Sequence, residues 1–287
     1  MLSFPKAALV ALAVALVVAG CGGAVLPQIQ NESDRLPIAR NLYDQGEYGT
    51  AVELLSNYVS TGNGKADIDQ AVYLLGIAYL GQKEWASAQS QFERISRDFP
   101  ESDSANAAAY RLGYAMSRQT HGPDFDQENT LKAMAQFHTL VASQPDDPWA
   151  ALARTRIAEL RSALAHKLWR DGDVYLKLKL YEPAKVYYGS VLREYPDTPE
   201  YGDALIGNAM ADARLGKRDS AIVVLEGLAK QFQGRPLGLK ASLTLEHVRK
   251  WPAEGDVKHR RHRSVEPSQT PPATPTPSTP TSTPFVP

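Results

Sequence analysis

From residue 31 to residue 250, apolar positions recur every three or four residues, and short polar runs separate one apolar stretch from the next. Ala88, Phe92 and Ile95 show the spacing plainly: positions i, i+4 and i+7 fall on one face of a helix. No stretch keeps up the apolar–polar alternation of a half-buried strand. The pattern therefore predicts an all-α chain of about ten or eleven helices, joined by short turns into antiparallel pairs.

The second helix of each predicted pair carries a common signature. Ala51, Ala88, Ala133, Ala184 and Ala221 are each followed four residues later by a large side chain: Leu55, Phe92, Phe137, Tyr188 and Leu225. Successive alanines are 37, 45, 51 and 37 residues apart. Ala88 is expected to face a tight helix–helix contact and Gln89, one position on, to face water. Pro100, Pro145 and Pro196 follow three of these helices and stop them. Val72-x-x-Leu75-Gly76-x-x-Tyr79, Ala88-x-x-x-Phe92 and Pro100 resemble the tetratricopeptide repeat, with Val72 in place of the usual Trp. Gly76 is small enough to let the second helix approach the first. The resemblance implies a tetratricopeptide-repeat α-solenoid of about five helix pairs, each burying its face on the next.

Two insertions break the spacing. Arg118 to Asn129 is polar, contains Gly122-Pro123 and reads as a loop. Trp149 to Lys167 is rich in Ala, Leu and Arg without Gly or Pro, and reads as extra helix. Gly172 leaves open whether that helix runs unbroken to Lys179.

The two ends differ from this middle. Ala7 to Ala19 is an apolar run about 20 Å long as a helix, too short for a bilayer core of roughly 30 Å and suited to an export signal. It closes in Val18-Ala19-Gly20-Cys21, which resembles the bacterial lipobox, and Cys21 is the single cysteine of the chain. That resemblance implies cleavage before Cys21 and a covalent diacylglycerol plus an N-acyl chain there, enough for stable anchoring. Gly22 in place of Asp implies the outer membrane. At the other end, Ser264 to Pro287 holds 8 Pro, 6 Thr and 4 Ser, a composition with little to bury, so a disordered tail is expected. Lys258-His259-Arg260-Arg261-His262-Arg263 precedes it, either a solvated start to the tail or a contact for an acidic surface. The expected organisation is a signal peptide over 1–20, a lipidated tether over 21–30, a solenoid over 31–250 and a tail over 251–287.

Charge and chemistry narrow the function. Lys plus Arg is 31 and Asp plus Glu 32, which argues against a nucleic-acid partner. A single cysteine rules out an intramolecular disulfide framework and a multi-cysteine metal site. Gly62-Asn63-Gly64-Lys65 lacks the first Gly and the Ser/Thr of a phosphate loop. Asp124, Asp126 and Glu128 alternate like calcium ligands, but Asn129 and Ala135 stand where that loop needs Gly and Glu. None of the six histidines forms an H-x-x-x-H pair, and no Gly-x-Ser-x-Gly elbow occurs. No catalytic residue, metal site or bound cofactor is expected.

An acylated cysteine followed by five such repeats resembles the BamD family, the repeat lipoproteins of the β-barrel assembly machinery. The likeness covers roughly Leu36 to Phe232. It runs through Phe137, Leu140-Val141 and Pro145; through Ala153, Arg156, Leu160-Arg161 and Leu164-Ala165; and through Tyr195-Pro196-Asp197-Thr198. Two features depart from it: Thr61-Gly62-Asn63-Gly64 replaces an expected Tyr-Pro, and the Pro/Thr tail is not a family hallmark. The resemblance implies a non-enzymatic periplasmic scaffold, lipid-anchored on the outer membrane, with two partners: the barrel insertase and unfolded outer membrane proteins. A repeat lipoprotein coordinating envelope constriction or wall synthesis, or an adaptor without barrel substrates, stands as the alternative. By the tetratricopeptide register the concave face of the first helices carries Tyr73, Ile77, Tyr110 and Tyr114, joined by Leu36, Arg40 and Tyr43. Barrel signals of that family end in an aromatic residue with a free carboxylate, so tyrosine faces and Arg40 form a candidate peptide groove. The competing reading is that these tyrosines only fill repeat interfaces.

Overall fold

The computed structural model describes residues 29, 31–62, 66–119 and 127–251. The signal segment, Cys21, the tail from 252 onward, residues 63–65, His121, Asp124 and Asp126 lie outside the described residues. Among the described residues there are eleven α-helices and no strand. They are α1 (Arg35–Asp44), α2 (Tyr48–Thr61), α3 (Ile68–Gly81), α4 (Trp85–Asp98), α5 (Ala105–Arg118), α6 (Glu128–Ser143), α7 (Pro148–Lys177), α8 (Tyr181–Glu194), α9 (Glu200–Arg214), α10 (Arg218–Gln231) and α11 (Pro236–Arg249). The chain is thus all-α, with five consecutive helix pairs and α11 as a final single helix. Two compact units are present, one ending at Ala211 and the other beginning at Asp212, so the boundary falls inside α9.

In the first unit each helix from α1 to α8 packs on the next one in sequence, and α1 also touches α3 as α5 touches α7. The turn inside a pair has one construction. Glu47, Glu84 and Leu180 donate their backbone N–H to the carbonyls of Leu42, Tyr79 and Tyr175, each at 2.9 Å. This six-to-one bond closes a helix whose next residue adopts a left-handed conformation. That residue is Gly46 (φ 80°), Lys83 (φ 63°) or Lys179 (φ 62°). Between pairs, proline does the work. Phe99, Gln144 and Tyr195 precede Pro100, Pro145 and Pro196 and leave the helical region, with φ near −131° to −137° and ψ of 49° to 65°. The clash of a proline ring with the preceding residue disfavours helix there.

The small-then-large register is the core of the stack. Ala51, Ala88, Ala133 and Ala184 are fully buried, and Leu55, Phe92, Phe137 and Tyr188 are at most 1% exposed. Each aromatic ring lies on a glycine of the paired first helix: Phe92 on Gly76, Phe137 on Gly113, Tyr188 on Gly172. Tyr188 also meets Gly207 of α9, so its ring is lodged between two backbones. Burial pushes its phenol pKa up. Gln89 differs from expectation. It is half-buried, accepts a hydrogen bond from Gln119 Nε2 at 2.6 Å and donates to Glu93 at 2.8 Å, because α5 packs along that side of α4.

Of the expected loop over 118–129, Arg118 ends α5 and Glu128–Asn129 begin α6; residues 120–126 lie outside the described residues. The surplus after Pro145 is one unbroken helix, Pro148–Lys177, which passes through Gly172. Pro148 occupies its first turn and Asp147 caps it, accepting from Trp149 N at 2.7 Å.

In the second unit α10 and α11 pack through Ala221, Leu225, Leu228, Ala241, Leu245 and Val248. Gly216 (φ 93°) repeats the turn, with Lys217 N bonded to Asp212 O at 2.9 Å. Arg218 caps α11 from the side, donating to the carbonyls of Val248 at 3.3 Å and Arg249 at 2.8 Å. The Arg214 guanidinium lies 3.7 Å from the centre of the Trp251 ring.

Candidate functional site

Tyr73 and Ile77 sit four apart on α3, and Tyr110 and Tyr114 four apart on α5. The structure brings Tyr73, Tyr110 and Tyr114 into one network and supplies what joins them. Arg111 Nε donates to Tyr73 Oη at 2.9 Å. Its guanidinium carbon lies 6.0 Å from the Tyr73 ring centre and 5.6 Å from that of Trp149. Trp149 packs on Tyr110, with centroids 5.3 Å apart. Arg156 Nε donates to Tyr110 Oη at 3.3 Å, and its guanidinium stands 5.4 Å over Tyr114. Tyr114 meets the edge of Trp85 at 6.4 Å, and Arg118 covers Trp85 at 5.4 Å. Aromatic rings and arginines thus alternate across α3, α4, α5 and α7.

Local structure fixes this face. Asn106 Nδ2 donates to Asp147 Oδ2 at 2.8 Å, tying the start of α7 to α5. That bond, with the Asp147 cap, sets where Trp149 leaves the backbone. The lower rims of the tyrosines rest on the core: Tyr73 on Phe92 (6.1 Å) and Tyr110 on Phe137 (5.6 Å). The face therefore continues the packed interior. Arg156 also binds Glu159 at 2.7 Å, and the bonds to Tyr110 and then Glu159 hold its pKa above the usual arginine range.

The other expected groove residues lie apart from this network. Ile77 packs at the margin of the core of the first pairs. Tyr43 lies tilted against Tyr48, with centroids 5.4 Å apart, and the Tyr48 ring covers Gly81. Arg40 is exposed on α1 and makes no ion pair with another described residue. Sequence reasoning missed Arg111, Arg118, Trp85 and Trp149 as members of one face. The available signals were Trp149 opening the surplus helix and Arg156 seven residues later on it; nothing local marked Arg111.

A second cluster clips the middle of α7. Arg161 bonds both carboxylate oxygens of Asp197, the Nε bond being 3.0 Å, and Glu194 O at 2.9 Å, while its guanidinium stacks 5.2 Å over Tyr195. The Arg161 hydrogen bond holds the Asp197 carboxyl below the usual carboxylate range. Ser162 Oγ donates to the Glu200 carboxylate at 3.0 Å. The Leu160-Arg161 and Tyr195-Pro196-Asp197-Thr198 motifs, separate in sequence, are thus one contact.

The chain matches the family profile described as YfiO: Outer membrane lipoprotein, over residues 30–224. The chain belongs to that family. Its matched span takes in the whole aromatic and arginine face and the Arg161 clip. The chain is 23% identical to the outer membrane protein assembly factor BamD of Pasteurella multocida (strain Pm70), covering 67% of this chain and 77% of that one. It is 24% identical to the BamD of Caulobacter vibrioides (strain ATCC 19089 / CIP 103742 / CB 15), covering 76% and 73%. Among solved structures it is similar to the P58(IPK) TPR domain at 15% identity and a TM-score of 0.39, covering 76% of this chain and 56% of that one. The repeat architecture of this family member rests on its own helix contacts. Among the described residues no helix is long and apolar enough to cross a membrane.

Proposed function

We propose that this chain is an assembly factor for outer membrane proteins. It acts as a scaffold without catalysis, held at the periplasmic face of the outer membrane by acyl chains on Cys21. It receives unfolded barrel proteins and docks to the barrel insertase. Membership of the outer membrane lipoprotein family over residues 30–224 is the observation that carries this reading, and the relatives named as outer membrane protein assembly factors support it. The alternating rings and guanidinium groups at Tyr73, Arg111, Trp149, Tyr110, Arg156 and Tyr114 suit an extended chain with aromatic side chains. Aromatic faces and main-chain contacts tolerate many sequences, as a general receiver must.

The test is crosslinking in cells followed by purification of the acylated chain. Recovery of the barrel insertase together with unfolded barrel proteins is expected. Recovery of division or wall-synthesis proteins in their place would overturn this reading for that of envelope coordination. A labelled peptide ending in a barrel-type signal should bind the wild type, and bind Tyr73→Ala/Tyr110→Ala more weakly.

A further inference from the structure

Charge is divided unevenly along the chain. Residues 21–211 carry 18 Lys and Arg against 25 Asp and Glu, whereas residues 212–263 carry 12 against 6. The basic excess falls on the second unit, at the α10–α11 hairpin and the residues that follow it. Three of the six acids there already face a cation: Asp212 lies 3.9 Å from Lys217, Asp219 3.2 Å from Arg218 and Glu226 2.6 Å from Arg249.

Helix α11 buries one side on α10 through Ala241, Leu245 and Val248. Its other side is not the polar surface that closes a repeat stack. Leu239 and Leu243, four residues apart, are 64% and 59% exposed. At about 100° per residue they fall with Lys250 along the middle of that side. Lys240 and His247 flank them on one edge, Arg235 and Glu246 on the other, all exposed. Trp251 follows directly, its ring against Arg214 and, at 5.1 Å, His247. A cleft lined by Ala229, Arg235, Pro236 and Leu239 opens at the start of the helix.

Bare leucines ringed by cations suit the edge of a bilayer. The leucines leave water for the acyl boundary, while Lys and Arg keep their charged heads at the level of the headgroups. Anionic lipid attracts each basic residue that comes within a Debye length. The basic run at 258–263, outside the described residues, begins eight residues after Lys250 and contains no apolar side chain. An amphipathic basic helix followed by a polybasic segment is matched by a charged lipid surface without any need for a complementary shape.

We propose that α11 rests on an anionic lipid surface, with Leu239 and Leu243 entering the headgroup layer and Arg235, Lys240 and Lys250 meeting lipid phosphates. The run at 258–263 adds to the attraction. This contact is separate from the acyl chains proposed at Cys21. Being largely electrostatic it is screened by salt, so at physiological ionic strength it orients a chain that is held by other means rather than holding it alone.

Co-sedimentation with vesicles tests it. Residues 21–287 carrying Cys21→Ser, and therefore no acyl chain, are mixed with vesicles of phosphatidylglycerol or of phosphatidylcholine. That chain has 30 Lys and Arg against 32 Asp and Glu, so an anionic vesicle attracts it only if its cations are gathered on one side. At about 20 mM salt it should bind phosphatidylglycerol at least about tenfold more tightly than phosphatidylcholine, and raising the salt to about 150 mM should remove most of that preference. Lys240→Gln/Lys250→Gln and Leu239→Ser/Leu243→Ser should each weaken binding to phosphatidylglycerol about tenfold. These four side chains are exposed, and far-UV circular dichroism checks that the fold is kept. Lys132→Gln/Lys177→Gln, on exposed lysines of the first unit, should bind as the parent does. Equal binding to the two lipids overturns the proposal. Failure to bind phosphatidylglycerol at low salt overturns it too and leaves the basic hairpin to an acidic protein. Parent-like binding by either α11 pair, or an equal loss in the first-unit pair, also overturns it by placing the contact elsewhere. Since the chain tested is unacylated and no peptide is present, none of these outcomes bears on the anchor or receiver readings.

Discussion

A Cβ on Gly76 would stand 2.6 Å from Cε1 of Phe92, so the ring fills the space that any side chain at position 76 would need. The same relation holds at Gly113 and Phe137, where the distance would be 2.7 Å. Glycine is used here for close approach rather than for an unusual backbone angle. It normally weakens a helix interior by roughly 0.5–1 kcal/mol relative to alanine, so the ring contact must offset that.

The contrast with an open glycine is a test. Gly76→Ala forces the Phe92 ring to move and should destabilise by about 1–3 kcal/mol, the range for overpacking. Gly189, inside α8, has nothing within 4 Å of the added carbon. Gly189→Ala should stabilise by roughly 0.5–1 kcal/mol. Urea unfolding of the two variants should therefore move in opposite directions.

The turn residues give a second test. Lys83 and Lys179 occupy the left-handed position that Gly46 and Gly216 occupy elsewhere. A side chain with a Cβ costs about 1–2 kcal/mol in that conformation. Part of this is offset by the greater freedom glycine gains on unfolding. Lys83→Gly and Lys179→Gly should each raise the urea midpoint, and Gly46→Lys should lower it.

The repeat register predicts unequal effects two positions apart on one helix. Ala88 is fully buried, whereas Ser90 is exposed. Ala88→Leu should cost about 1–3 kcal/mol. Ser90→Leu should change little, and equal melting temperatures would refute the register.

The Arg161–Asp197 clip should show in acid. The folded-state pKa of Asp197 is lowered by the Arg161 hydrogen bond. Its contribution is therefore complete above the unfolded carboxylate value of about 3.9 and is lost as pH falls through the lower folded value. The Asp197 side chain is 57% exposed, so solvent screening keeps the effect small. Asp197→Asn should melt below wild type at neutral pH, and the gap should close below about pH 4. A gap that persists unchanged into acid would exclude the ion pair as its cause.

Membrane attachment is testable apart from the fold. Cys21→Ser removes the proposed acylation site, and buried acyl chains contribute about 0.8 kcal/mol per CH2. The exported variant should remain in the soluble fraction when outer membranes are pelleted by themselves.

The helix pairs were legible from sequence because their determinants are local. A small residue followed four positions later by a large one defines a helix face, and proline stops the helix wherever it falls. Ala88 with Phe92, Ala184 with Tyr188, and Pro196 beyond α8 needed no knowledge of the rest of the chain. The continuity of α7 through Gly172 was another matter. There the Tyr188 ring of the next helix packs against that glycine, a contact between helices that local spacing does not reveal. The aromatic and arginine face lay still further from local rules. Tyr73, Arg111 and Trp149 come from three helices, and Arg111 is 38 residues from Tyr73. Spacing along one helix places each residue on a side of its own cylinder. Only the packing of α3, α5 and α7 decides which rings meet a guanidinium.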